Sequence, residues 1–262
     1  MTLIILLQNK EIKIRAVVVT PGSLLQIGLI KHILNTYGYN VPVGGYNNKS
    51  DAKLGHQYAK LFDFTPAQPT EYVDGVSLLR DNSGPDVILF TIGPPKASGK
   101  LMTEYPQTEF KELVAQGGFA GVGVVPEDKI LEKFKGLTRC VTCNFSGGKQ
   151  YTTALLDSAI PKKFCISKNI CHGYIYTEDV DKVINKDARD IIHKLYGDNV
   201  YSKEKAMHDI LASVAILHKE CFLFAEVIII KEKGAYGAEL CPESNTFIAV
   251  DYDKSLANTF IR

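Results

Sequence analysis

The sequence lacks a long apolar run and lacks an excess of charge of either sign. Its longest early apolar stretch, Leu3–Leu7, is far shorter than the roughly 20 residues that span a bilayer, and the start shows no secretory cleavage pattern. The 30 basic and 29 acidic side chains give a formal net charge of +1, which is too small to hold a polyanion. We therefore predict a cytoplasmic protein with no membrane insertion and no nucleic-acid partner.

Cysteines are few for a chain of this length. The six cysteines stand at positions 140, 143, 165, 171, 221 and 241. They are too sparse for a disulfide scaffold, so we predict reduced thiols. Cys140 and Cys143 have the spacing of a zinc knuckle or a redox pair, but a zinc site needs a second pair, and Cys165 and Cys171 are six apart. Buried strand cysteines are the favoured interpretation, and zinc or redox use is the alternative.

The composition excludes a disordered chain. Of the 262 residues, 45% are apolar and 23% are charged, proportions that are ordinary for a soluble globular protein. No tract is biased enough to predict disorder. A chain of this length fits one α/β domain with a large core, so we predict that residues 1–262 form a single domain.

Strand-like and helix-like segments alternate along the chain. Ile14–Thr20 is a β-branched run closed by Pro21 and Gly22, which is typical of a buried parallel strand and its turn. The alternation predicts an α/β fold with a mostly parallel sheet flanked by helices, in a Rossmann-like arrangement. The chain is predicted to begin at the end of a helix. Further strands are predicted at 41–43, 86–92, 122–125, 139–143, 163–166 and 225–230, and helices at 24–37, 52–61, 152–158, 177–196 and 208–217.

Five segments, in one order along the chain, match the motifs of a single enzyme family. Gly93-Pro94, Gly117-Gly118 and Thr142–Phe145 lie in predicted loops, and ligands collect beyond the carboxyl ends of parallel strands. An alanine-containing helix and turn, Ala154–Pro161, and the segment His208–Ala212 follow. Together they resemble the nucleoside hydrolases, calcium-dependent enzymes that cleave the N-glycosidic bond of ribonucleosides. The resemblance covers almost the whole chain and implies a nucleoside-hydrolase-like fold.

The resemblance implies roles for three residues. His208 corresponds to a catalytic general acid, Asp209 to a metal ligand, and Asn144 to a substrate-binding residue that contacts the ribose. Imidazole suits the role of a general acid because it changes charge near neutral pH. Structural alternatives remain for each: a helix-start histidine that donates to a backbone carbonyl, a helix N-cap and a turn former, respectively. The neighbouring pair Cys171 and His172 is interpreted as structural.

The calcium site that the resemblance implies is incomplete. In that family most metal-binding carboxylates come from an aspartate-rich motif on the first strand, whereas the only acidic residue between Met1 and Thr20 is Glu11. Calcium takes about six to eight oxygen ligands, which a vestigial Asp209 does not supply alone. We therefore expect an N-terminally truncated or degenerate member that starts just downstream of the missing strand.

Two further positions depart from the family pattern. Lys96 stands near the family's metal-contacting threonine, and Thr142 or Cys143 stands near the acidic residue of its Glu-Phe-Asn motif. One hypothesis is that the Lys96 ammonium lies near Asp209 and replaces the charge of the lost ion. The alternative is a solvated lysine.

These departures predict a nucleoside-hydrolase-fold protein that is non-catalytic in this chain. It would bind a nucleoside-like small molecule or serve as a structural subunit, with no cofactor. The alternative is an active nucleoside N-ribohydrolase, dependent on Ca²⁺, whose N-terminal strand comes from sequence absent here. Loss of a central strand exposes backbone groups and apolar surface, so we also predict a homo-oligomer or a subunit of a larger assembly.

Overall fold

The structure, a computed structural model, describes residues 1–53, 60–65, 71–197 and 200–262. The predicted helix at 52–61 falls largely on 54–59, outside the described residues. The strands are β1 Val17–Val19, β2 Val43–Gly45, β3 Gly84–Thr91, β4 Phe110–Gln116, β5 Arg139–Cys140, β6 Lys163–Ile166, β7 Phe222–Glu232, β8 Ala235–Leu240 and β9 Thr246–Tyr252. The helices are α1 Thr2–Gln8, α2 Leu24–Thr36, α3 Gly75–Asp81, α4 Lys96–Glu104, α5 Cys143–Gly148, α6 Gln150–Leu156, α7 Lys168–Gly173, α8 Glu178–Val183, α9 Lys186–Tyr196, α10 His208–Leu217 and α11 Lys254–Thr259.

The strands form two sheets. One has seven strands in the order β3-β4-β6-β9-β7-β8-β5, and the other consists of β1 and β2. Strands β3, β4, β6 and β9 run parallel, as do β1 and β2. Strands β7, β8 and β5 pair antiparallel to their neighbours. The predicted α/β class is confirmed, and the large sheet is parallel in one half and antiparallel in the other.

The centre of the large sheet is buried on both faces. Along β4, Leu113 and Ala115 pack in one apolar cluster, whereas Val114 between them packs in another. Along β6, Cys165 and Ile166 divide between the same two clusters. Because successive strand residues point to opposite faces, this division shows that layers of apolar side chains cover both sides. Helix α10 packs against β4 and β6 in the layer that contains Val114.

Several predicted elements are confirmed with small shifts in their ends. Predicted helices at 24–37 and 208–217 are α2 and α10, and predicted strands at 14–20, 86–92 and 163–166 respectively contain β1, overlap β3 and match β6. The predicted strand at 139–143 is limited to β5, because helix α5 begins at Cys143.

The predicted strand at 122–125 is wrong. Residues 124 and 125 both donate their backbone N–H to the Gly121 oxygen, at 3.1 and 2.9 Å, so this segment is a turn. The preceding strand is β4, which the sequence does not predict because Lys111 and Glu112 interrupt its apolar pattern. Glu112 is nevertheless buried, and its Oε1 accepts a hydrogen bond from the Lys219 ammonium at 2.6 Å.

Strand β7 is longer than the predicted strand at 225–230 and forms a hairpin with β8. Lys233 and Gly234 connect them with φ values of 47° and 84°, the left-handed backbone of a tight hairpin turn. The sequence patterns do not predict β8 or β9. In β8 the cause is composition, because glycine and two alanines give a weak strand signal.

The predicted helix at 177–196 is two helices, α8 and α9. Ile184 is extended at the break, and the Asn185 side chain accepts the backbone N–H groups of Asp187 and Ala188. An asparagine N-cap of this kind starts a new helix. No helix in the described ranges is both long and apolar enough to traverse a bilayer.

Candidate functional site

The candidate site lies where the parallel strands β4 and β6 end. Strand β4 ends at Gln116, and β6 ends at Ile166, just before Ser167 caps helix α7. The carboxyl ends of parallel strands share one edge of a sheet, so the segments that follow them meet there. Helix α10 packs against α7 and against both strands, which brings His208 and Asp209, in its first turn, to the same edge.

Asn144 is joined directly to the end of β4. It lies in helix α5 and is only 8% exposed. Its Nδ2 donates to the backbone oxygen of Gln116 at 2.9 Å and also to the Gln116 side-chain oxygen. The predicted substrate-binding residue is therefore held by the strand end rather than by a turn of its own.

Two further contacts connect this amide pair to the start of helix α10. The Gln116 Nε2 lies 3.5 Å from the Cys171 sulfur, and that sulfur lies 3.7 Å from the backbone oxygen of His208. Burial raises the pKa of the Cys171 thiol to about 12, so the thiol stays protonated. Cys171 acts here as a packed, weakly polar link, which agrees with a structural interpretation of this residue.

His208 and His172 form a pair of closely packed rings. Their centroids are 4.6 Å apart with an interplanar angle of 32°, and the His208 Nε2 is buried without a hydrogen-bond partner among the described residues. Burial lowers the pKa of His208, and the ammonium groups of Lys205, Lys133 and Lys168 lower it further. His208 is therefore mostly neutral at pH 7, whereas a general acid needs the protonated form.

His172 is directly bonded to a lysine. The Lys133 Nζ lies 2.8 Å from the His172 Nδ1, so the ammonium donates and the neutral imidazole accepts. Burial, the neighbouring His208 and the ammonium groups of Lys133 and Lys168 lower the pKa of His172 to about 4. Both rings of the pair are therefore uncharged at neutral pH.

Asp209 is a half-buried carboxyl near the Lys205 ammonium. Burial raises its pKa to about 6, while the amino terminus and Lys205 act in the opposite direction. Helix α10 is capped by Met207 without a side-chain hydrogen bond, so the alternative interpretation of Asp209 as the N-cap is wrong. Asp209 instead lies within the first turn, where the helix dipole favours a negative charge.

Lys96 lies at the first position of helix α4 and is half-buried. Within the described ranges it forms no ion pair with Asp209, and the side-chain cation that acts on this carboxyl is Lys205. The hypothesis that Lys96 replaces the charge of a metal therefore finds no contact to support it.

The residues at this edge do not fit the calcium ion that the resemblance implies. Calcium requires several oxygen ligands, most of them anionic, whereas Asp209 is accompanied by ammonium groups and by neutral imidazoles. Among the described residues, no group of three or more histidine, cysteine, aspartate or glutamate side chains is arranged to hold a metal. Asp209 thus stands without a ligand set around it.

Sequence reasoning missed the residues that surround the predicted ones. Gln116 immediately precedes Gly117 and Gly118, a pair that the resemblance identifies. This position beside a motif is the sequence signal that could have indicated Gln116 as a site residue. The lysines at 133, 168 and 205 carry no local signal, because they come from three separate segments that meet only in the folded chain.

Comparisons with known proteins agree with this architecture. No family model matches the chain. An uncharacterized protein from Aquifex aeolicus (strain VF5) is 29% identical over 258 residues, which cover 93% of this chain and 86% of that protein. A plant nucleoside hydrolase structure superposes with a TM-score of 0.69 at 14% identity, covering 99% of this chain and 92% of the other.

Two bacterial structures give the same result. The inosine-uridine preferring nucleoside hydrolase from Bacillus anthracis superposes with a TM-score of 0.68 at 14% identity, covering 99% of this chain and 92% of the other. The purine-preferring ribonucleoside hydrolase from Gardnerella vaginalis gives the same TM-score, identity and coverage. The chain therefore has the nucleoside hydrolase fold.

Proposed function

We propose that this protein binds a nucleoside-like small molecule at the ends of β4 and β6 and does not cleave N-glycosidic bonds by a calcium-dependent route. The fold shared with nucleoside hydrolases supports the class of ligand. The lack of calcium-dependent cleavage is inferred from the charge around His208 and Asp209, where the neighbouring side-chain charges are lysine ammonium groups.

The chemistry of N-glycoside cleavage explains why this charge matters. The reaction needs an activated water and stabilisation of an oxocarbenium-like, positively charged ribosyl group. Lysine ammonium groups near the reacting carbon oppose that positive charge, and they are not metal ligands. A neutral His208 also lacks the extra proton that a leaving base would take.

Polar groups at the site support a binding role. The buried His208 Nε2 has no hydrogen-bond partner in the described parts of the chain, and a buried polar atom left unpaired costs about 1–3 kcal/mol unless a water or ligand satisfies it. The Asn144 and Gln116 amides lie along the same chain of contacts. A sugar or a base bound beside these amides would satisfy the His208 Nε2 without any metal.

The test combines calorimetry with an assay of free base released from inosine and uridine, on the full chain. We expect no saturable heat from calcium at millimolar concentration, no base release, and saturable inosine binding. His208→Ala should weaken inosine binding about tenfold, the equivalent of one hydrogen bond. The matched control is His32→Ala, since His32 lies in helix α2 and contacts the Phe62 oxygen instead.

Two results would overturn the proposal. Saturable calcium binding together with base release would establish the alternative, an active calcium-dependent hydrolase. A chain that binds neither inosine nor uridine, or in which His32→Ala weakens binding as much as His208→Ala, would contradict a ligand site at His208.

Free strand edges support a second part of the proposal, association with another chain. In the described part of the molecule, β1 pairs only with β2, and the eight-residue strand β3 pairs only with β4. Unpaired edges of this length readily accept another strand. Sedimentation equilibrium should therefore give the mass of a dimer or larger assembly, and a monomer at all concentrations would contradict this part.

A further inference from the structure

Three lysines converge on the histidine pair from separate parts of the chain. Lys133 lies in a short 3₁₀ helix, Glu132–Phe134, and bonds His172 as described. Lys168 is the first residue of helix α7, and its ammonium donates to the Val141 oxygen at 2.9 Å. Lys205 lies three residues before helix α10. The Lys133 and Lys168 ammonium groups lie 5.4 and 5.7 Å from the centre of the Phe134 ring, and that ring packs 5.6 Å from the His172 ring. The Lys205 ammonium acts electrostatically on His208, so the three lysines lie around the histidine pair.

Within the part of the chain that the structure describes, these lysines differ from their neighbours in forming no ion pair. Nearby surface lysines are paired: Lys129 with Asp251 at 2.9 Å and Lys135 with Glu132 at 2.7 Å. Among the described residues, Lys133, Lys168 and Lys205 form no ion pair. The Asp209 carboxyl, on which Lys205 acts electrostatically, offsets part of this charge, and the cluster keeps a net positive charge.

The contacts that these lysines do make leave their charge in place. Lys133 donates to a neutral imidazole, and Lys168 donates to a carbonyl oxygen and lies 5.7 Å from the centre of the Phe134 ring. The Lys205 ammonium lies 5.2 Å from the centre of the Tyr196 ring. None of these partners is an anion, so the arrangement orients three ammonium groups without neutralising them.

We propose that Lys133, Lys168 and Lys205, together with the packed His172–His208 pair, bind a phosphate group carried by a nucleoside. This inference rests on the proposed nucleoside-binding function and names its ligand class, a nucleoside monophosphate. A phosphate ester carries about −1.5 to −2 charges at pH 7 and three acceptor oxygens. Lysines bind such groups as point charges, and neutral imidazoles contribute N–H donors.

Other anions fit this cluster less well. A carboxylate carries a single charge, which leaves much of the positive charge uncompensated. A nucleic acid requires a long basic surface, whereas the chain carries a net charge of only +1 and the neighbouring Lys129 and Lys135 are already paired. A single phosphate group matches both the charge and the limited extent of the cluster.

The experiment is a calorimetric titration of the full chain at low ionic strength with inosine, inosine 5′-monophosphate and inorganic phosphate. We expect the monophosphate to bind about tenfold or more tightly than inosine, as one or two charge-assisted hydrogen bonds would give. Added salt should weaken the binding of the monophosphate and leave that of inosine nearly unchanged, because salt screens charges.

Variants identify the lysines responsible. Lys133→Gln and Lys205→Gln should each weaken monophosphate binding about three- to tenfold, with inosine binding retained. Lys135→Gln is the matched control, because Lys135 lies two residues from Lys133 on the same surface but is paired with Glu132. Thermal unfolding of each variant checks that the fold is intact.

The outcomes of these titrations distinguish failure of the phosphate site from failure of the proposed nucleoside binding. If inosine and its monophosphate bind equally, or if Lys135→Gln weakens binding as much as Lys133→Gln, the phosphate site is disproved and nucleoside binding stands. If inorganic phosphate binds as tightly as the monophosphate and inosine does not bind, the phosphate site stands and the nucleoside function fails. Binding of neither compound rejects both.

Discussion

The small and the large sheet of this protein differ in how completely their strands are covered. All three residues of β1 are half-buried, and β1 pairs with one neighbour in the described residues. In the large sheet, β4 has neighbours on both sides, and Leu113, Val114 and Ala115 are fully buried. Buried strands with two neighbours resist local opening, whereas edge strands open at low cost.

The candidate site belongs entirely to the better covered region. Gln116 ends β4, Asn144 lies in α5, which contacts β8, and His172 and His208 lie in α7 and α10, which pack around the large sheet. None of these residues comes from β1 or β2. The geometry of these residues therefore depends on the large sheet and the helices packed around it.

The largest loss of stability is expected from breaking the ion pair between Glu112, in β4, and Lys219. The Glu112 side chain is 10% exposed and that of Lys219 is 27% exposed. Lys219→Met leaves a nearly buried carboxylate without a partner and should lower the free energy of unfolding by about 3–5 kcal/mol, measured by urea denaturation. The control is Lys100→Met, which removes an exposed pair with Glu104 and should cost about 0.5 kcal/mol or less. Equal losses would contradict the burial argument.

A matched pair of valines compares the two sheets directly. Val114→Ala, in β4, removes two fully buried methyl groups and should cost about 2–3 kcal/mol from lost transfer energy and the cavity that remains. Val18→Ala, in β1, removes the same groups from a half-buried position and should cost less than about half as much. Urea denaturation of both variants measures the ratio. A Val18→Ala loss as large as that of Val114→Ala would remove the distinction between the sheets.

Elements of both sheets are predictable from sequence, but the buried central strand β4 is not. The β-branched runs of β1 and β3, the short apolar run of β6 and the apolar periodicity of α2 and α10 are local signals, and they predict these elements with small shifts in their ends. Strand β4 escapes prediction because Glu112 breaks its pattern, and the partner that allows its burial, Lys219, stands 107 residues away. A buried charge pair of that separation leaves no trace in a short window of sequence.

The same limit applies to the candidate site. The order of the motifs predicts that Asn144, His208 and Asp209 lie at one edge of the sheet, because each follows a predicted strand or begins a predicted helix. The charge at the site is not predictable, since Lys133, Lys168 and Lys205 come from unrelated segments. Their convergence depends on how helices α7 and α10 pack, which is a property of the tertiary structure.

A smaller loss of stability is expected from a substitution where the small sheet packs against helix α3. A Cβ atom on Gly75 would lie 2.5 Å from the Val18 Cγ1 and 2.9 Å from the Gly45 oxygen, so the backbones must separate to admit it. Gly75→Ala should therefore cost about 1–3 kcal/mol, with faster amide exchange confined to β1 and β2. The control is Gly93→Ala, where no atom of the described residues lies within 4 Å of the added atom. Faster exchange at β4 as well would show that the sheets unfold as one unit.

The smallest effect is expected from the ion pair that joins the two sheets. Arg15, just before β1, pairs with Asp86 in β3, and both side chains are substantially exposed, at 40% and 69%. Exposed pairs contribute about 0–1 kcal/mol, so Arg15→Gln should lower the free energy of unfolding by no more than that. The small effect should vanish in high salt, because added salt screens exposed charges. Urea denaturation at low and high salt measures it, and a loss above about 2 kcal/mol that persists in salt would mean that Arg15 fastens the small sheet through packing of its stem rather than through charge.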